Sequence, residues 1–150
     1  MITVKDIQTR VAKILTDNGF NVVAGEVIEG FERPAVFVQV MPSKVTKQAC
    51  GGMLEKVTDT VELKYFSAVE TLEDCINVSE KFKQLFYYPT FDIQDRHITI
   101  ECMEFEIENK VLFAYFDIEF MQSQPDEEYE EMSDFILREE YNNGVTGNIN

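Results

Sequence analysis

The sequence predicts an α+β fold in which two helices pack on one face of a mostly antiparallel sheet. Two stretches carry apolar residues at helical spacing, five carry the alternation typical of strands, and 150 residues are enough for one buried core. The predicted order is helix, three strands, helix and two strands, followed by a short acidic C-terminal helix. We therefore expect one α+β domain over residues 1–122 and an acidic appendage over residues 123–150, a short helix and then a frayed end.

The first helix is predicted from a single apolar stripe. Its members recur at steps of three and four residues: Val4, Ile7, Val11, Ile14 and Leu15. Thr3 and Asp6 fit an N-terminal cap, and Gly19 fits the C-terminal stop.

Three strands are predicted next, over residues 20–28, 34–41 and 57–66. Both faces of the second strand are mainly apolar, so it is either central in the sheet or covered on one face by another subunit. An irregular stretch over residues 42–56 separates the last two strands, and it holds Lys44 and Lys47.

The second helix is predicted over residues 72–87, with Thr71 and Asp74 placed to cap its start. Its stripe consists of six apolar residues: Leu72, Cys75, Ile76, Phe82, Leu85 and Phe86. A long hairpin follows, with a two-residue turn at Asn109-Lys110. The apolar phase changes within its first strand, which predicts a β-bulge at Cys102-Met103.

The net charge of −15, from 13 Lys and Arg against 28 Asp and Glu, excludes several classes of partner. It disfavours electrostatic binding to nucleic acid or to anionic lipid. We expect no membrane segment, because no stretch approaches the ~20 apolar residues that span a bilayer, and no secretion signal. The three cysteines form no CxxC pair, which indicates a reducing compartment, and Cys75 and Cys102 are expected to be buried.

The charge is unevenly distributed along the chain. Residues 126–140 hold eight acidic residues and one basic residue, whereas residues 42–56 carry +2. The acidic segment also has apolar residues close to helical spacing, which predicts a helix that docks on a subunit or partner surface. The residues proposed for this docking are Tyr129, Met132, Phe135 and Ile136.

Motifs for catalysis are scarce in this sequence. It has no phosphate-binding loop, no nucleophile elbow and a single histidine. Asp92, Asp95 and His97 are close enough in sequence to suggest a metal site, but such sets are common by accident, and a polar turn is the preferred interpretation. We expect Asp92 to face away from His97. No cofactor is expected, and the acidic row of residues 104, 106 and 108 is interpreted as a solvated strand face.

Apolar residues on the second face of the sheet exceed what two helices can cover. They are Phe31, Phe37, Val111, Phe113 and Tyr115. Exposed apolar area of this extent indicates a protein–protein contact. The alternative is that the C-terminal helix covers these residues within the same chain.

The stretch EVIEGFERPAVFVQVMP, the later VELKYF and the closing hairpin MEFEIENKVLFAYFDIEF resemble the tail terminator family of phages and PBSX-type prophages. The shared motif is a glycine–aromatic–x–Arg–Pro–Ala turn, here Gly30, Phe31, Arg33, Pro34 and Ala35. The resemblance covers residues 3–121 and leaves the acidic tail outside.

This resemblance implies a structural protein and no enzyme. Such proteins form a ring, usually hexameric, that caps the tail tube, stops its growth and presents a surface to the head connector. Contractile-tail members also contact the sheath, and DNA passes through without specific binding. The same ring would cap a headless tail-like bacteriocin. Assembly in the host cytoplasm, followed by incorporation into the virion or particle, is expected.

The subunit contacts expected for such a ring combine residues of the second face with the basic loop. The residues of the second face are Phe31, Arg33, Phe37, Phe113 and Tyr115. The residues of the basic loop are Lys44 and Lys47, which would contact acidic strand faces of a neighbour. Two other functions stay open. One is a head-completion or neck adaptor protein, and the other is a small metal-dependent enzyme centred on residues 92–97.

Overall fold

A computed structural model describes residues 1–23, 30–48 and 53–123, and it confirms the α+β fold. Two helices accompany a five-stranded sheet of order β1-β2-β3-β7-β6 and a two-stranded sheet of β4 and β5. The strands are β1 Val22–Val23, β2 Ala35–Lys47, β3 Leu54–Phe66, β4 Phe91–Ile93, β5 Arg96–Ile98, β6 Met103–Glu108 and β7 Val111–Ser123. All described pairings are antiparallel except that of β1 with β2.

Helix α1 spans Val4–Asp17 and has the predicted cap. The Thr3 hydroxyl accepts a hydrogen bond from the Asp6 backbone N–H at 3.1 Å, and the Asp6 carboxylate accepts one from the Thr3 N–H at 2.9 Å. These bonds to the charged form hold the pKa of Asp6 below its usual value. The helix stops before Gly19, whose φ of +90° suits glycine.

Helix α2 spans Leu72–Phe82 and continues as a π-helical turn over Lys83–Tyr87, which together match the predicted extent. Thr71 caps its start by accepting from the Asp74 N–H. The predicted stripe is partly wrong, because Leu72 and Ile76 are exposed and Val78 is buried in their place. The π turn keeps both Phe82 and Phe86 in the core.

Both helices lie on one face of the large sheet, as predicted. α1 packs on β2, and α2 packs on β6 and β7. Alternate residues of the strands point toward them, among them Val36, Val38, Val61, Leu63, Leu112, Ala114, Phe116 and Ile118. We call the opposite side of the sheet the outer face.

The predicted irregular stretch over residues 42–56 is wrong for most of its described part. β2 continues to Lys47 and β3 begins at Leu54, so Lys44 and Lys47 lie on a strand. Val45 and Thr46 are β-branched and pair with Val57 and Lys56. Pro42 is tolerated because the register shifts there and β2 has no described strand beside it at that point.

The predicted bulge at Cys102-Met103 is also wrong. The apolar phase changes because the chain leaves one sheet and enters another: Ile98 ends β5, and Met103 starts β6. Residues 99–102 between them are not strand, and Cys102 is exposed, whereas Cys75 is buried as expected. The element order therefore gains the small β4–β5 hairpin.

The turn between β6 and β7 agrees with the prediction. Asn109 and Lys110 have φ of 54° and 62°, the left-handed values of a type I′ turn. Val111 therefore pairs with Glu108, and Leu112 pairs with Ile107.

Asp59 is buried on the helix-facing side of β3, opposite Ile118. Among the described residues, no side chain donates a hydrogen bond to it. Removal of water raises the pKa of this carboxyl, so the folded chain binds its proton more readily than the unfolded chain. With respect to this group, the free energy of unfolding is highest below the unfolded pKa of 3.8, where Asp59 is protonated in both states. It falls as the pH rises through the folded pKa, because the buried carboxylate must then ionise.

Asp59→Asn is therefore expected to stabilise the protein at pH 7 by about 1–2 kcal/mol, since no buried carboxylate then has to ionise. The gain should vanish near pH 3.5. Urea unfolding at both pH values measures it, with Asp95→Asn in the exposed β4–β5 turn as control. An equal gain at both pH values would show that burial of the charge is not its cause.

Candidate functional site

The outer face carries a cluster of aromatic side chains. Phe31 precedes β2 and packs on Phe37 and Phe66 with ring centroids 5.0 and 5.1 Å away, and the latter two rings are 5.3 Å apart. All three are half-buried, although no described helix covers them. We call Phe31, Phe37 and Phe66 the aromatic cluster.

Arg33 holds this cluster in place. Its guanidinium lies 5.6 Å from the Phe31 ring centroid and 5.3 Å from that of Phe66, within cation–π range. Nη1 also donates to the Ser67 backbone oxygen at 3.3 Å and lies 4.0 Å from the Glu70 carboxylate. The glycine–aromatic–x–Arg–Pro–Ala motif thus places an aromatic ring and a cation on the outer face. Within the motif, Gly30 has φ of +81° and the Arg33–Pro34 bond is cis.

Phe113 and Tyr115 continue the outer face across β7. Phe113 pairs with Lys64 of β3, whose ammonium nitrogen is 6.0 Å from the ring centroid, and Lys64 in turn pairs with Phe37. Tyr115 lies between Glu62 and Glu104. Loss of water, followed by the charges of Glu62, Glu106 and Glu108, raises the pKa of its phenol, which therefore stays neutral at physiological pH.

An open acidic concavity of about 530 Å³ lies at the β6 side of the outer face. It forms where β6 leaves β7: pairing ends at Met103 with Phe116, and residues 99–102 diverge from β7. Five carboxylates line it: Glu101, Glu104, Glu106, Asp117 and Glu119. The alternating glutamates of β6 are exposed, as predicted, but they also form a wall of this space.

The opposite flank of the sheet is basic. Lys44 and Lys47 lie near the end of β2, and neither makes an ion pair with any residue of the described ranges. Lys56 of β3 is 3.5 Å from Glu119. We call residues 41–47 and 53–58 together the distal hairpin.

The structure corrects the geometry expected around His97. Asp92 and His97 pair across β4 and β5, and His97 Nδ1 is 2.8 Å from the Asp92 carboxylate, so they face the same way. Thr90 donates to that carboxylate and Arg10 to the Asp92 backbone oxygen, which indicates a polar hairpin that is fastened to α1. The hydrogen bonds from His97 and Thr90 lower the pKa of Asp92. Within the three described ranges, no group of three or more His, Cys, Asp or Glu residues converges on a metal position.

Sequence reasoning missed some members of this surface. Phe66 joins the aromatic cluster, and its signal was the alternation with Lys64 in VELKYF. Glu101, Asp117 and Glu119 join the acidic concavity only through tertiary structure. Tyr129, Met132, Phe135 and Ile136 of the predicted docking helix lie outside the described residues.

The comparisons with known proteins identify the family. In the described part of the chain, no helix has the length and apolar character needed to span a membrane. The search of curated proteins found no match. One solved structure aligns with 83% of this chain and 98% of its own at 11% identity, but its TM-score of 0.45 is too low to carry an argument. A family model described as "Phage tail terminator protein" matches residues 6–130, so the protein belongs to the phage tail terminator family, whose role in tail assembly is structural.

Proposed function

We propose that the protein forms a hexameric ring on the end of a completed tail tube and thereby ends polymerisation of the tube. The ring then presents a surface to the head connector and, in a contractile tail, to the last sheath ring. Membership of the tail terminator family supports this proposal. The observation that most supports ring formation is the composition of the outer face. There the aromatic cluster, Phe113 and Tyr115 lie on the side of the sheet away from the two described helices.

The outer face has the composition of a subunit contact. Its core is aromatic, and Arg33 lies against the rings of Phe31 and Phe66. Aromatic residues and arginine are the types enriched at the centre of interfaces. Its rim is charged and acidic on the β6 side. We expect Phe31, Arg33, Phe37, Phe113 and Tyr115 to contribute to the contact.

The charge of the protein supports passage of DNA without binding. A chain with net charge −15 and an acidic concavity repels phosphate, so a ring of such chains would let DNA slide past. Assembly would take place in the host cytoplasm, and the ring would then remain in the virion or in a tail-like particle.

Electron microscopy of particles made without this protein tests the proposal. Termination predicts tubes of excessive and variable length, and the wild-type chain supplied separately should restore the length. Tails of normal length that fail to join heads would contradict termination and support the neck adaptor alternative. Light scattering of the protein with the tube protein gives the second readout, and a strict monomer that never binds tubes would contradict the ring.

The enzyme alternative has its own test. It requires stoichiometric metal in protein purified without chelator, and it requires that His97→Ala removes this metal. We expect no such metal and a normal assembly phenotype for His97→Ala, because His97 is exposed and bonded to Asp92 on a small hairpin.

A further inference from the structure

The half of the large sheet that holds the distal hairpin has two open strand edges. β1 pairs with β2 only at Val36 and Phe37, and β6 pairs with β7 only as far as Phe116. Beyond these points, no strand of the described ranges pairs with the outside of β2 over residues 38–47 or with the outside of β7 over residues 117–123. Open edges of this length are templates for an added strand.

The two edges carry opposite charge. Lys44 and Lys47 lie along the β2 edge, whereas Asp117, Glu119 and the rest of the acidic concavity lie along the β7 edge. Two copies that met through the same edge would bring like charges together. A head-to-tail arrangement instead places lysines against carboxylates, and such a heterologous contact closes into a ring when repeated by rotation.

The distal hairpin also exposes apolar side chains. Val45 is 62% exposed, Met53 is 58% exposed and Met41 is 40% exposed. On the β7 edge, Met121 is also 40% exposed. This apolar area supplies a driving force that charge alone would not provide.

We infer that the β2 edge of one copy docks along the β7 edge of the next copy, with Lys44 of its distal hairpin, which lies on the outer face, at the acidic concavity. This inference rests on the proposed ring and adds to the outer-face contact a second contact between neighbouring copies, which pairs their strand edges. β2 and β7 both run antiparallel to β3, so they run in the same direction and the new pairing is parallel. Within one copy, Lys44 pairs with Thr58 and Thr58 pairs with Glu119, so the three residues form one row across the sheet. If this row continues into the next copy, Lys44 of one copy lies beside Glu119 of its neighbour.

Thiol cross-linking tests the contact directly, because Cys102 is exposed and lines the acidic concavity. In a Cys50→Ser background, Lys44→Cys treated with a short bismaleimide should give a ladder of covalent oligomers. The buried Cys75 should stay unreactive. Adding Cys102→Ser should remove the ladder, and Lys5→Cys on α1 in place of Lys44→Cys should give none. The experiment is run on the protein alone and with the tube protein.

The outcomes separate this contact from the ring itself. A ring detected by light scattering without the ladder overturns the contact and leaves the ring standing. No ring and no ladder under either condition overturn both. A cross-link from Lys44→Cys to the tube protein in place of a second copy also overturns the contact, because the hairpin would then dock on the tube.

A charge exchange supplies an independent test. Lys44→Glu with Lys47→Glu makes both edges acidic. Glu101→Lys, Glu104→Lys and Glu119→Lys together leave three lysines against two carboxylates in the concavity, so both edges are then basic. Each of these two multiple variants should self-associate roughly tenfold or more weakly. An equimolar mixture should restore assembly, because the two variants can alternate around the ring. Damage to the subunit fold would not be repaired by mixing, and failure of the mixture while each variant remains folded by circular dichroism overturns the inference.

Discussion

Alanine at both Phe37 and Phe113 is expected to weaken ring assembly roughly 100-fold or more while leaving the subunit folded. Both rings lie on the outer face, each paired with Lys64, and no described helix covers them. Truncation of an aromatic residue at the centre of an interface often costs about 2 kcal/mol or more. Two such losses exceed the roughly 2.8 kcal/mol that corresponds to a 100-fold change in affinity.

Light scattering over a range of concentrations, with the tube protein present, measures this effect. Tube lengths in particles made with the variant give a second readout. The matched control is Leu72→Ala with Ile76→Ala, which removes two exposed apolar side chains from α2 on the other side of the molecule. Wild-type assembly by the outer-face variant, or equal loss in the control, would show that the outer face is not the contact.

Phe86→Ala is expected to destabilise the subunit by about 3–5 kcal/mol. Phe86 is buried in the π turn that ends α2, and its ring stacks on Phe116 of β7 with centroids 5.1 Å apart. Truncation leaves a cavity between the helical layer and the sheet, and it removes the aromatic contact by which the π turn is held to β7.

Thermal or urea unfolding of the monomeric subunit measures the loss. At roughly 2–4 °C per kcal/mol for a chain of this size, Tm should fall by about 10 °C. Tyr88→Ala is the control, because Tyr88 follows the same turn and is 67% exposed. If Phe86→Ala lowers Tm no more than Tyr88→Ala does, burial of the Phe86 ring does not hold the π turn to the core.

The helices and the final hairpin could be predicted from sequence because their signals are local. Thr3 and Asp6 bond each other across one helical turn, and Asn109-Lys110 adopts the turn that two residues between strands require. The family was also accessible, since its turn motif is contiguous over Gly30–Ala35.

The errors arose where pairing partners are distant in sequence. Lys44 and Lys47 follow a proline, so the stretch is interpreted as irregular until its pairing with residues 55–58 is seen. Ile98 and Met103 are interpreted as one strand because nothing local indicates that β5 pairs with β4 and β6 pairs with β7. The acidic concavity could not be foreseen for the same reason, because it exists only where those two sheets diverge.

The turn at Asn109-Lys110 determines more than a change of chain direction. Because it contains two residues, Phe105 and Ile107 are in register with the helix-facing residues of β7, and the glutamates between them point the other way. One inserted residue would reverse this parity along β6, placing three carboxylates beneath α2 and the side chains of Met103, Phe105 and Ile107 in water. The negative charge that β6 contributes to the outer face therefore depends on the length of a single loop.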